Sequence, residues 1–394
     1  MRVALLTERV ARDGGVGVYV CRLAEALRAR GDEVLVAGGE VADGAVGAGV
    51  AALRVPGLDR EEPVAGVPAR LTAALRDFGA EVVGAHHVYD PALVPAVQAV
   101  APLVWGVHEY MLCPTGTLHF GPGEECGRAH GPGCWPHILL HGCAHRRDLR
   151  PVVRTYRRSA RSVGILRGVD GVVAFSRFVA ANLRRNGIDD PHVAPLWVPR
   201  ETRRHPEPPG RPSILFAGRV TESKGLHVLV EALASVDALL EVHGDGWALP
   251  EVRARARALG VEDRVRFCGW SAEAELQAAY DRASVVAVPS VWPEPFGLVG
   301  LEAMSHGRPV VASATGGIPE WLDDGVTGRL VPAGDVPALA TALDAMLTDG
   351  TLRQRMGIAA VERVERHFTI AAHLEALDVV HEAAAERWHA RIAC

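Results

Sequence analysis

Short apolar runs alternate with longer amphipathic segments along the first half of the chain. This alternation is typical of parallel α/β sheets, in which each strand is followed by a helix. A glycine-rich turn at 13–17 follows the first run, and a helix to about residue 30 comes next. Ser176 follows the last run and is a suitable N-cap for another helix. The predicted strands of this half lie at 2–7, 33–37, 81–85, 102–107 and 171–175.

The same alternation starts again after a proline-rich stretch. Residues 199–212 hold five prolines and several charges, a composition that predicts a linker. We therefore expect a domain at 1–198, a second at 213–370, and a terminal helix at 371–394. Doubly wound parallel sheets bind ligands beyond the carboxyl ends of their strands, so we expect a cleft there. The predicted strands of the second half lie at 213–217, 239–243, 265–267, 284–289 and 309–312. The predicted helices lie at 225–235, 248–259, 273–282, from about 296, near 319, and from about 336 onward.

Composition is typical of a globular protein and argues against two other classes. Apolar residues make up 48% of the chain and charged residues 23%. No apolar run reaches the roughly 18 residues of a membrane span. The amino terminus predicts a strand rather than a signal peptide, so we expect a cytoplasmic protein. A net charge of −5 argues against nucleic-acid binding.

Positive charge is concentrated between Arg146 and Arg167. This stretch holds eight arginines and one acid, Asp148. A solvated helix face is the ordinary explanation and the one we favour. The alternative is a surface for an anionic acceptor, or for weak contact with an anionic membrane.

One lysine, Lys224, stands in a chain whose other 41 basic residues are all arginine. An ammonium is a compact charge on a thin stem and suits a phosphate in a glycine-lined pocket better than a flat guanidinium does. Lys224 also lies between a predicted strand and a predicted helix, where anion sites form. We interpret it as a phosphate ligand, with chance survival of one lysine as the alternative.

Two glutamates, Glu294 and Glu302, are separated by seven residues at a predicted strand-to-helix junction. Glu302 falls on the apolar stripe of the helix, where a carboxylate without partners is costly. A vicinal diol such as a ribose would satisfy it. The amides of Gly297, Leu298 and Val299 open the helix and can hold a phosphate.

This Glu-x7-Glu segment, preceded by Ala-Gly-Arg-x4-Lys-Gly at 217–225, resembles the family-4 retaining glycosyltransferases of the GT-B fold. The resemblance covers nearly the whole chain. It implies two Rossmann-like domains facing a central cleft, with C-terminal helices packing back on the N-terminal domain. The further matches are Gly14-Gly15, Val107-His108-Glu109, Val173-Ala174-Phe175-Ser176, Val242-His243-Gly244-Asp245-Gly246, Phe267-Cys268-Gly269-Trp270 and Gly316-Gly317-Ile318-Pro319-Glu320.

The resemblance also implies an activity. A member of this family moves a sugar from a nucleotide-diphosphate donor, commonly a UDP-hexose, to a hydroxyl acceptor such as a secondary metabolite, a glycan or a lipid-linked sugar. Transfer retains configuration by same-face attack, with the phosphate taking the acceptor proton. No metal or other cofactor is required, which agrees with the lack of an Asp-x-Asp motif in this sequence.

The implied donor residues lie mostly in the second half. Arg219 and Lys224 would hold the diphosphate, Glu302 the ribose, and Glu294 and His108 the transferred sugar. All of these except Glu302 are the implied catalytic residues. The family's His-Asp is His-Glu here, and the longer carboxylate puts the acceptor geometry in question. The remaining implied ligand contacts are Gly15, Gly218, Gly244, Trp270, Phe296, Gly297, Leu298 and Val299.

A cysteine-containing insert follows His108-Glu109 and is rich in Gly, Pro and His. A loop of this length needs something to order it. Four thiolates can close a tetrahedral zinc site, and metal is more common than disulfides in a cytoplasmic chain. The spacings lack a Cys-x2-Cys knuckle, so free thiols are the alternative to structural zinc, and Cys21, Cys268 and Cys394 look isolated. The four candidate ligands are Cys113, Cys126, Cys134 and Cys143.

Three other interpretations stay open. An NAD-dependent oxidoreductase would explain Gly15-Val16-Gly17 after the first strand, but the third glycine of the fingerprint is replaced by Val20. A nucleotide-sugar epimerase or a phosphorylase would share the fold. A non-catalytic subunit could bind a nucleotide-sugar without turnover. The paired Gly-Arg-x4-Lys and Glu-x7-Glu segments favour transfer.

Overall fold

The protein is described by a computed structural model over residues 1–12, 14–60, 62–115, 118–121, 124–140, 143, 149–198 and 211–393. It divides into two compact units. Unit 1 comprises Met1–Thr117, Gly127–Pro195 and Ile370–Cys394, and unit 2 comprises Leu118–Cys126 and Leu196–Thr369. Most of the predicted linker, residues 199–210, lies outside the described residues.

Strands and helices alternate through the first half as the sequence predicts. In chain order the elements are β1 (Arg2–Val10), α1 (Gly15–Arg30), β2 (Glu33–Val41), β3 (Ala51–Arg54), α2 (Val67–Phe78), β4 (Val82–His86), α3 (Leu93–Gln98), β5 (Leu103–Val107), β6 (His119–Gly121), β7 (Glu124–Glu125), α4 (Cys134–Leu140), α5 (Leu149–Gly168), β8 (Gly171–Ala174), α6 (Arg177–Arg185) and β9 (His192–Val193). In the described part of unit 1, seven parallel strands form one sheet in the order β3-β2-β1-β4-β5-β8-β9. β6 and β7 pair antiparallel, and their segment is counted with unit 2.

Helix α1 shows how the local sequence builds this layer. One face of the helix is buried, from Tyr19 to Leu27. It ends at Gly31, whose φ of 107° is a left-handed conformation that favours glycine. Near its start, a Cβ at Gly17 would overlap the carbonyl of Ala11, so the helix approaches the preceding loop as closely as a backbone can.

The last helix, α14 (Ile370–Ile392), belongs to unit 1 and packs on β5 and β8. The Trp388 indole donates a hydrogen bond to the Gln98 carbonyl at 2.7 Å. Arg391 pairs with the buried Asp170 carboxylate at 2.6 Å. The prediction that the C-terminal helix returns to the N-terminal domain is therefore confirmed.

Unit 2 repeats the layered architecture. Its elements are β10 (Ser213–Ala217), a 3-10 turn (Glu222–Lys224), α7 (Leu226–Leu233), β11 (Leu239–His243), α8 (Leu249–Ala258), a second 3-10 turn (Glu262–Arg264), β12 (Val265–Gly269), α9 (Glu273–Arg282), β13 (Val285–Val288), α10 (Leu298–Ser305), β14 (Val310–Ser313), α11 (Ile318–Trp321), β15 (Gly328–Val331), α12 (Val336–Thr348) and α13 (Gly350–His367). Six strands in its described part form a parallel sheet in the order β12-β11-β10-β13-β14-β15. Leu229 of α7 and Leu343 of α12 are fully buried, and the helix faces that carry them pack into the core of this unit.

The strands predicted from apolar runs are all present. Among the residues that the structure describes, five short strands are additional to the prediction, namely β3, β6, β7, β9 and β15. The predicted cap at Ser176 is confirmed, because its hydroxyl accepts from the Val179 amide at 3.1 Å. Within the described residues, no helix combines the length and apolar character needed to cross a bilayer.

Candidate functional site

In unit 2 the strand order reverses between β10 and β13. The chain runs outward from β10 to β12 and then returns to place β13 beside β10. Open parallel sheets bind ligands at such a switch point, beyond the carboxyl ends of the strands. The segments that follow these two strands, 218–225 and 289–297, carry the predicted residues Lys224 and Glu294.

Lys224 and Glu294 form an ion pair at this switch point. The ammonium donates to the carboxylate, with 2.6 Å between Nζ and Oε1. The same oxygen accepts from Ser290 Oγ at 2.6 Å and from Trp292 Nε1 at 3.2 Å. The side chain of Glu294 is 6% exposed and that of Lys224 is 24% exposed. The glutamate of this pair is therefore buried, whereas the lysine side chain is partly exposed.

The charge state of Glu294 follows from these contacts. Burial alone would raise the pKa of its carboxyl group. The Lys224 ammonium and the hydrogen bonds from Ser290 and Trp292 outweigh burial and lower the pKa below its usual value. Glu294 is therefore ionised near neutral pH and acts as an acceptor.

Close backbone packing holds the pair in place. Gly225 has φ 71°, and a Cβ there would overlap the carbonyl of Pro289. Gly316 has φ 61°, and a Cβ there would overlap the backbone of Glu294. The Gly317 amide also donates to the Glu294 carbonyl at 2.7 Å. Glycine is thus needed wherever the loops of this site touch.

Helix α10 begins directly beside the pair. Its N-cap is Gly297, with φ 93°, so the helix opens with the amides of Leu298 and Val299. The loop before it is fixed by the Trp321 indole, which donates to the Phe296 carbonyl at 2.6 Å. The amides that open a helix carry partial positive charge and can receive an anion.

Glu302 lies on α10 and is half-buried. The buried Tyr280 hydroxyl donates to Glu302 Oε2 at 3.1 Å and lies 3.3 Å from the Val299 carbonyl. Burial and the neighbouring carboxylate raise the pKa of Tyr280 well above its usual value, so the phenol keeps its proton. The ring of His306 stacks on Tyr280 with 5.2 Å between centroids. Sequence reasoning missed Tyr280, because nothing in the local sequence distinguishes a single tyrosine in a helix as a site residue.

The loops after β10 and β11 pack against each other through glycine. The Gly218 amide donates to the His243 carbonyl at 2.9 Å. Gly244 has φ 153°, and a Cβ there would overlap the Gly218 carbonyl. Arg219, which follows, is exposed. The predicted diphosphate residue Arg219 therefore lies at the surface of this loop, while Lys224 contacts Glu294.

Two large aromatic side chains project from neighbouring loops of unit 2. Trp270, one of the ligand contacts that the resemblance implies, follows β12 and is 69% exposed. Trp247 follows β11 and is 66% exposed. Sequence reasoning did not single out Trp247, although its place directly after the His-Gly-Asp-Gly segment was a usable signal. Exposed indoles at strand ends can stack on flat ligands.

Unit 1 has its own switch point between β1 and β4. His108 follows β5, and its Nε2 lies 3.1 Å from Nδ1 of the buried His86. The rings of Tyr19 and Phe175 lie 4.8 and 4.5 Å from the His108 ring. Burial lowers the pKa of His108 well below its usual value and that of His86 to about 3. Both imidazoles are therefore neutral at neutral pH.

His87, next along the chain, has the opposite character. Its Nδ1 lies 3.2 Å from Glu8 Oε2 and its Nε2 lies 3.0 Å from Glu109 Oε1. Burial alone would lower the pKa of His87, but hydrogen bonds to these two carboxylates raise it to about 9. Glu109, where the resembled family has Asp, thus reaches the His87 ring and also accepts from the Tyr89 hydroxyl at 3.3 Å.

Gly15 opens helix α1, and its N-cap Gly14 has φ 87°. A Cβ at either position would meet nothing within 4 Å. The backbone at this end of the helix is therefore accessible, as the sequence-based role for Gly15 requires. Asp13, in the same turn, lies outside the described residues.

The structure does not gather the insert cysteines of unit 1 into a metal centre. In the described ranges, one group of three or more His, Cys, Asp and Glu side chains has ligand atoms within 4.8 Å of one another, and it holds none of these four. Cys113 Sγ lies 3.4 Å from Thr115 Oγ1, and Cys134 Sγ lies 3.9 Å from the Ala129 carbonyl. Cys126 is counted with unit 2. Zinc at these four thiols stays a prediction.

The arginine-rich segment forms helix α5, although Arg146, Arg147 and Asp148 lie outside the described residues. Arg161 pairs with Glu62 at 2.9 Å, and Arg167 donates to the Asn186 carbonyl at 3.0 Å. These partners belong to unit 1 itself. The contact of this helix with an anionic surface stays a prediction.

Comparison with known proteins connects these two sites to one class of enzyme. The model described as Glycosyltransferase Family 4 matches residues 13–202, and the model described as Glycosyl transferases group 1 matches residues 198–363. Each half of the chain therefore matches the model of a glycosyltransferase family. The two matches meet where unit 1 gives way to unit 2.

Among curated relatives, the D-inositol 3-phosphate glycosyltransferase of Corynebacterium diphtheriae is 40% identical over 181 residues. The match covers 43% of this chain and 42% of that protein. The aligned part thus spans less than half the length of the relative.

Solved structures share the fold over nearly the full length. Sucrose-phosphate synthase from Thermosynechococcus elongatus matches with a TM-score of 0.71 and 22% identity, covering 97% of this chain and 98% of that one. HepE of Anabaena in complex with UDP-glucose matches with a TM-score of 0.68 and 19% identity, covering 97% and 100%. With two doubly wound parallel sheets in this chain, these likenesses confirm the predicted GT-B fold class.

Proposed function

We propose that the protein is a retaining glycosyltransferase that moves a sugar from a nucleotide-diphosphate donor, a UDP-hexose, to a hydroxyl acceptor. The observation that carries this proposal is the Lys224–Glu294 pair at the β10/β13 switch point. It holds the ammonium of Lys224, whose side chain is 24% exposed, against the buried carboxylate of Glu294. Family matches over both halves and the UDP-glucose complex of HepE, which has the same fold, support the assignment.

In the proposed reaction the bond between the anomeric carbon and the diphosphate oxygen breaks. A bond from the acceptor oxygen to the same carbon forms on the same face, and the acceptor proton passes to the departing phosphate oxygen. Negative charge develops on the diphosphate as it leaves. Lys224, Arg219 and the first amides of α10 stabilise this charge, so the transfer step needs no metal.

Glu294 receives the sugar in this scheme. In the described part of the chain, the hydrogen bonds to its carboxylate all end on Oε1. Oε2 is therefore available to accept from a sugar hydroxyl. Because Oε1 contacts the ammonium, one side chain links the sugar to the cation that holds the phosphate.

Glu302 binds the ribose diol in the same scheme. Its carboxylate is oriented by the Tyr280 hydroxyl at 3.1 Å, which is itself buried and keeps its proton. A fixed carboxylate loses little freedom when it accepts two hydroxyls, so the contact is stronger than one from a mobile side chain.

His108 of unit 1 contributes a neutral imidazole to the sugar in this proposal. Its neutrality follows from burial and from its contact with His86. Nε2 contacts His86, so Nδ1 is the nitrogen of the neutral ring that can exchange a hydrogen bond with a sugar hydroxyl. The second substrate of the proposed reaction is the acceptor, which supplies a hydroxyl group. The relative named for D-inositol 3-phosphate makes phosphorylated cyclitols the first acceptors to test.

The experiment has a binding stage and a product stage. UDP-hexoses are screened by thermal shift, and hits are incubated with cyclitol phosphates, aminocyclitols and oligosaccharides. NMR of the product gives its anomeric configuration. We expect the configuration of the donor. An inverted product would contradict the mechanism, and conversion of the donor to an epimer without an acceptor product would favour the epimerase alternative.

Arg219→Gln tests the diphosphate assignment with little risk to folding, because Arg219 is exposed. Loss of one charge-stabilising donor costs about 2–4 kcal/mol of barrier, or roughly 30- to 900-fold in rate. The matched control is Arg355→Gln, on the exposed face of α13. Equal rates for both variants would remove Arg219 from the site.

A further inference from the structure

A second cluster of polar side chains lies on unit 2, on strands β11 and β12. Glu241 and His243 are two residues apart on β11, so their side chains share a face of the sheet. Cys268 lies on the neighbouring strand β12. Val242 pairs with Phe267 and His243 pairs with Gly269, so Cys268 is an extra residue in β12 at this point. Such a bulge redirects the side chain of the extra residue. The sequence suggested that Cys268 was isolated, and this expectation was wrong.

The three side chains converge on one point. The ligand atoms of Glu241, His243 and Cys268 all lie within 4.8 Å of one another. His243 Nε2 is 2.8 Å from Glu241 Oε1, and Cys268 Sγ is 3.8 Å from the same oxygen. In a tetrahedral zinc site, neighbouring ligand atoms are about 3.3–3.7 Å apart. The observed separations bracket that range, so small side-chain movements would suffice.

The surroundings suit a bound cation. The side chain of His243 is 6% exposed and that of Glu241 is 20% exposed. Both line a cavity of about 550 Å³ that Cys268, Ser271 and Glu275 also border. Three protein ligands with room beside them match a site completed by a solvent molecule.

The second nitrogen of His243 is also occupied as a metal site requires. Nδ1 lies 2.7 Å from Ser271 Oγ. A histidine that ligates metal through Nε2 carries its proton on Nδ1 and donates it to a fixed partner, which sets the tautomer. In the structure as it stands, Nε2 lies 2.8 Å from Glu241 Oε1, and a cation would lie between these two atoms.

We propose that Glu241, His243 and Cys268 form a binding site for a zinc-class divalent cation, joining the ends of β11 and β12. An ordinary ion-pair network does not explain the thiol, which is a weak hydrogen-bond partner at 3.8 Å. Imidazole, thiolate and carboxylate together are a ligand set that zinc prefers. The site is separate from the Lys224–Glu294 pair and does not depend on the proposed activity.

Arg282 is the natural competitor for this cation. Its guanidinium lies 3.0 Å from Glu241 Oε1, and its side chain is 55% exposed. The arginine can turn into solvent when a cation binds. Its removal takes away a competing positive charge, so Arg282→Gln should bind metal more tightly than the wild type. Ser271→Ala should bind it on the order of 10–100-fold more weakly.

The test is a cobalt titration of the metal-stripped full-length protein. Co²⁺ replaces Zn²⁺ and reports thiolate ligation through its near-ultraviolet charge-transfer absorption. We expect a signal from a site with one thiolate that is lost in Cys268→Ser and in His243→Gln. It should persist in Cys113→Ser, which removes one of the insert thiols. A signal that survives Cys268→Ser overturns the proposal, and so does the absence of any cobalt binding.

A measurement on the wild type covers the case in which a variant fails to fold. Alkylation of each cysteine by iodoacetamide is followed by mass spectrometry with and without Zn²⁺. A metal-bound thiolate reacts slowly, so Zn²⁺ should protect Cys268. The rate of each cysteine without Zn²⁺ is its own reference, and protection confined to the insert cysteines refutes the β11/β12 site.

Discussion

Lys224→Gln would leave the Glu294 carboxylate buried without its cation. Removal of one partner from a buried ion pair costs about 3–5 kcal/mol, because the remaining charge has no compensation. Lys224 is 24% exposed, and Ser290 and Trp292 still donate to Oε1. We therefore expect the low end of this range, about 3 kcal/mol of unfolding free energy near neutral pH.

The loss should depend on pH in a defined direction. In the wild type the folded pKa of Glu294 is below the ordinary value of 4.5. The stability from its ionised form is therefore present above that value and is lost as the pH falls through the folded pKa. Without Lys224, the main charge that opposes the effect of burial is lost, so the folded pKa of Glu294 rises relative to the wild type and the ionised carboxylate costs the variant stability as the pH rises. The gap between wild type and variant should widen from acidic to neutral pH.

Urea unfolding at a series of pH values measures this gap. The double variant Lys224→Gln/Glu294→Gln is the matched control, because a neutral amide needs no cation. It should recover much of the stability at neutral pH, and its difference from the wild type should change only at acidic pH, where Glu294 of the wild type titrates. A loss that is the same at every pH, or that the second substitution does not relieve, would refute the assignment of the pair as a buried, coupled unit.

Three further perturbations follow from contacts within single units. His87, with a folded pKa of about 9 against 6.5 when unfolded, contributes stability that is complete below 6.5 and lost as the pH rises through 9. Urea unfolding of wild type and His87→Gln across this window should converge at the alkaline end. Gly300→Ala would place a Cβ inside the Trp321 ring and should cost about 1–3 kcal/mol or more by thermal unfolding. Tyr280→Phe removes the hydrogen bond to Glu302, should cost about 1 kcal/mol of stability, and should raise KM for the donor more than it changes kcat.

Much of the fold could be predicted from the sequence because each main strand is an apolar run between turn residues. β1, β4, β5 and β13 are nearly or fully buried, so their sequences carry a continuous apolar signal. The strands that the prediction lacks are short and lie at or near a sheet edge, as β3, β9 and β15 do. Edge strands bury little surface. The side chains of β3 are mostly exposed, so its sequence lacks the apolar signal from which the other strands were predicted.

The parts of the candidate site that could be predicted are those that depend on residue type and on spacing along the sequence. Lys224 and Glu294 are seventy positions apart, yet both follow strands that flank a switch point, and the topology alone brings such positions together. The Tyr280–Glu302 contact and the Glu241–His243–Cys268 cluster depend on side-chain direction. Neither the register shift in β12 nor the helix face of Tyr280 leaves a trace in local sequence.

The survival of a lysine at 224 now has a specific physical reason. The ammonium must reach a carboxylate that is 6% exposed, beside a tryptophan ring centred 5.5 Å from Nζ and next to a glycine whose Cβ would overlap a carbonyl. A guanidinium is wider and presents its donors in a plane, so it fits less well than an ammonium beside an Oε1 atom to which Ser290 and Trp292 also donate. The preference for arginine over lysine in this chain can therefore hold at exposed positions while Lys224 is kept. The same reasoning predicts that an arginine is suitable at position 219, because Arg219 is exposed and a guanidinium there has room to bind a diphosphate.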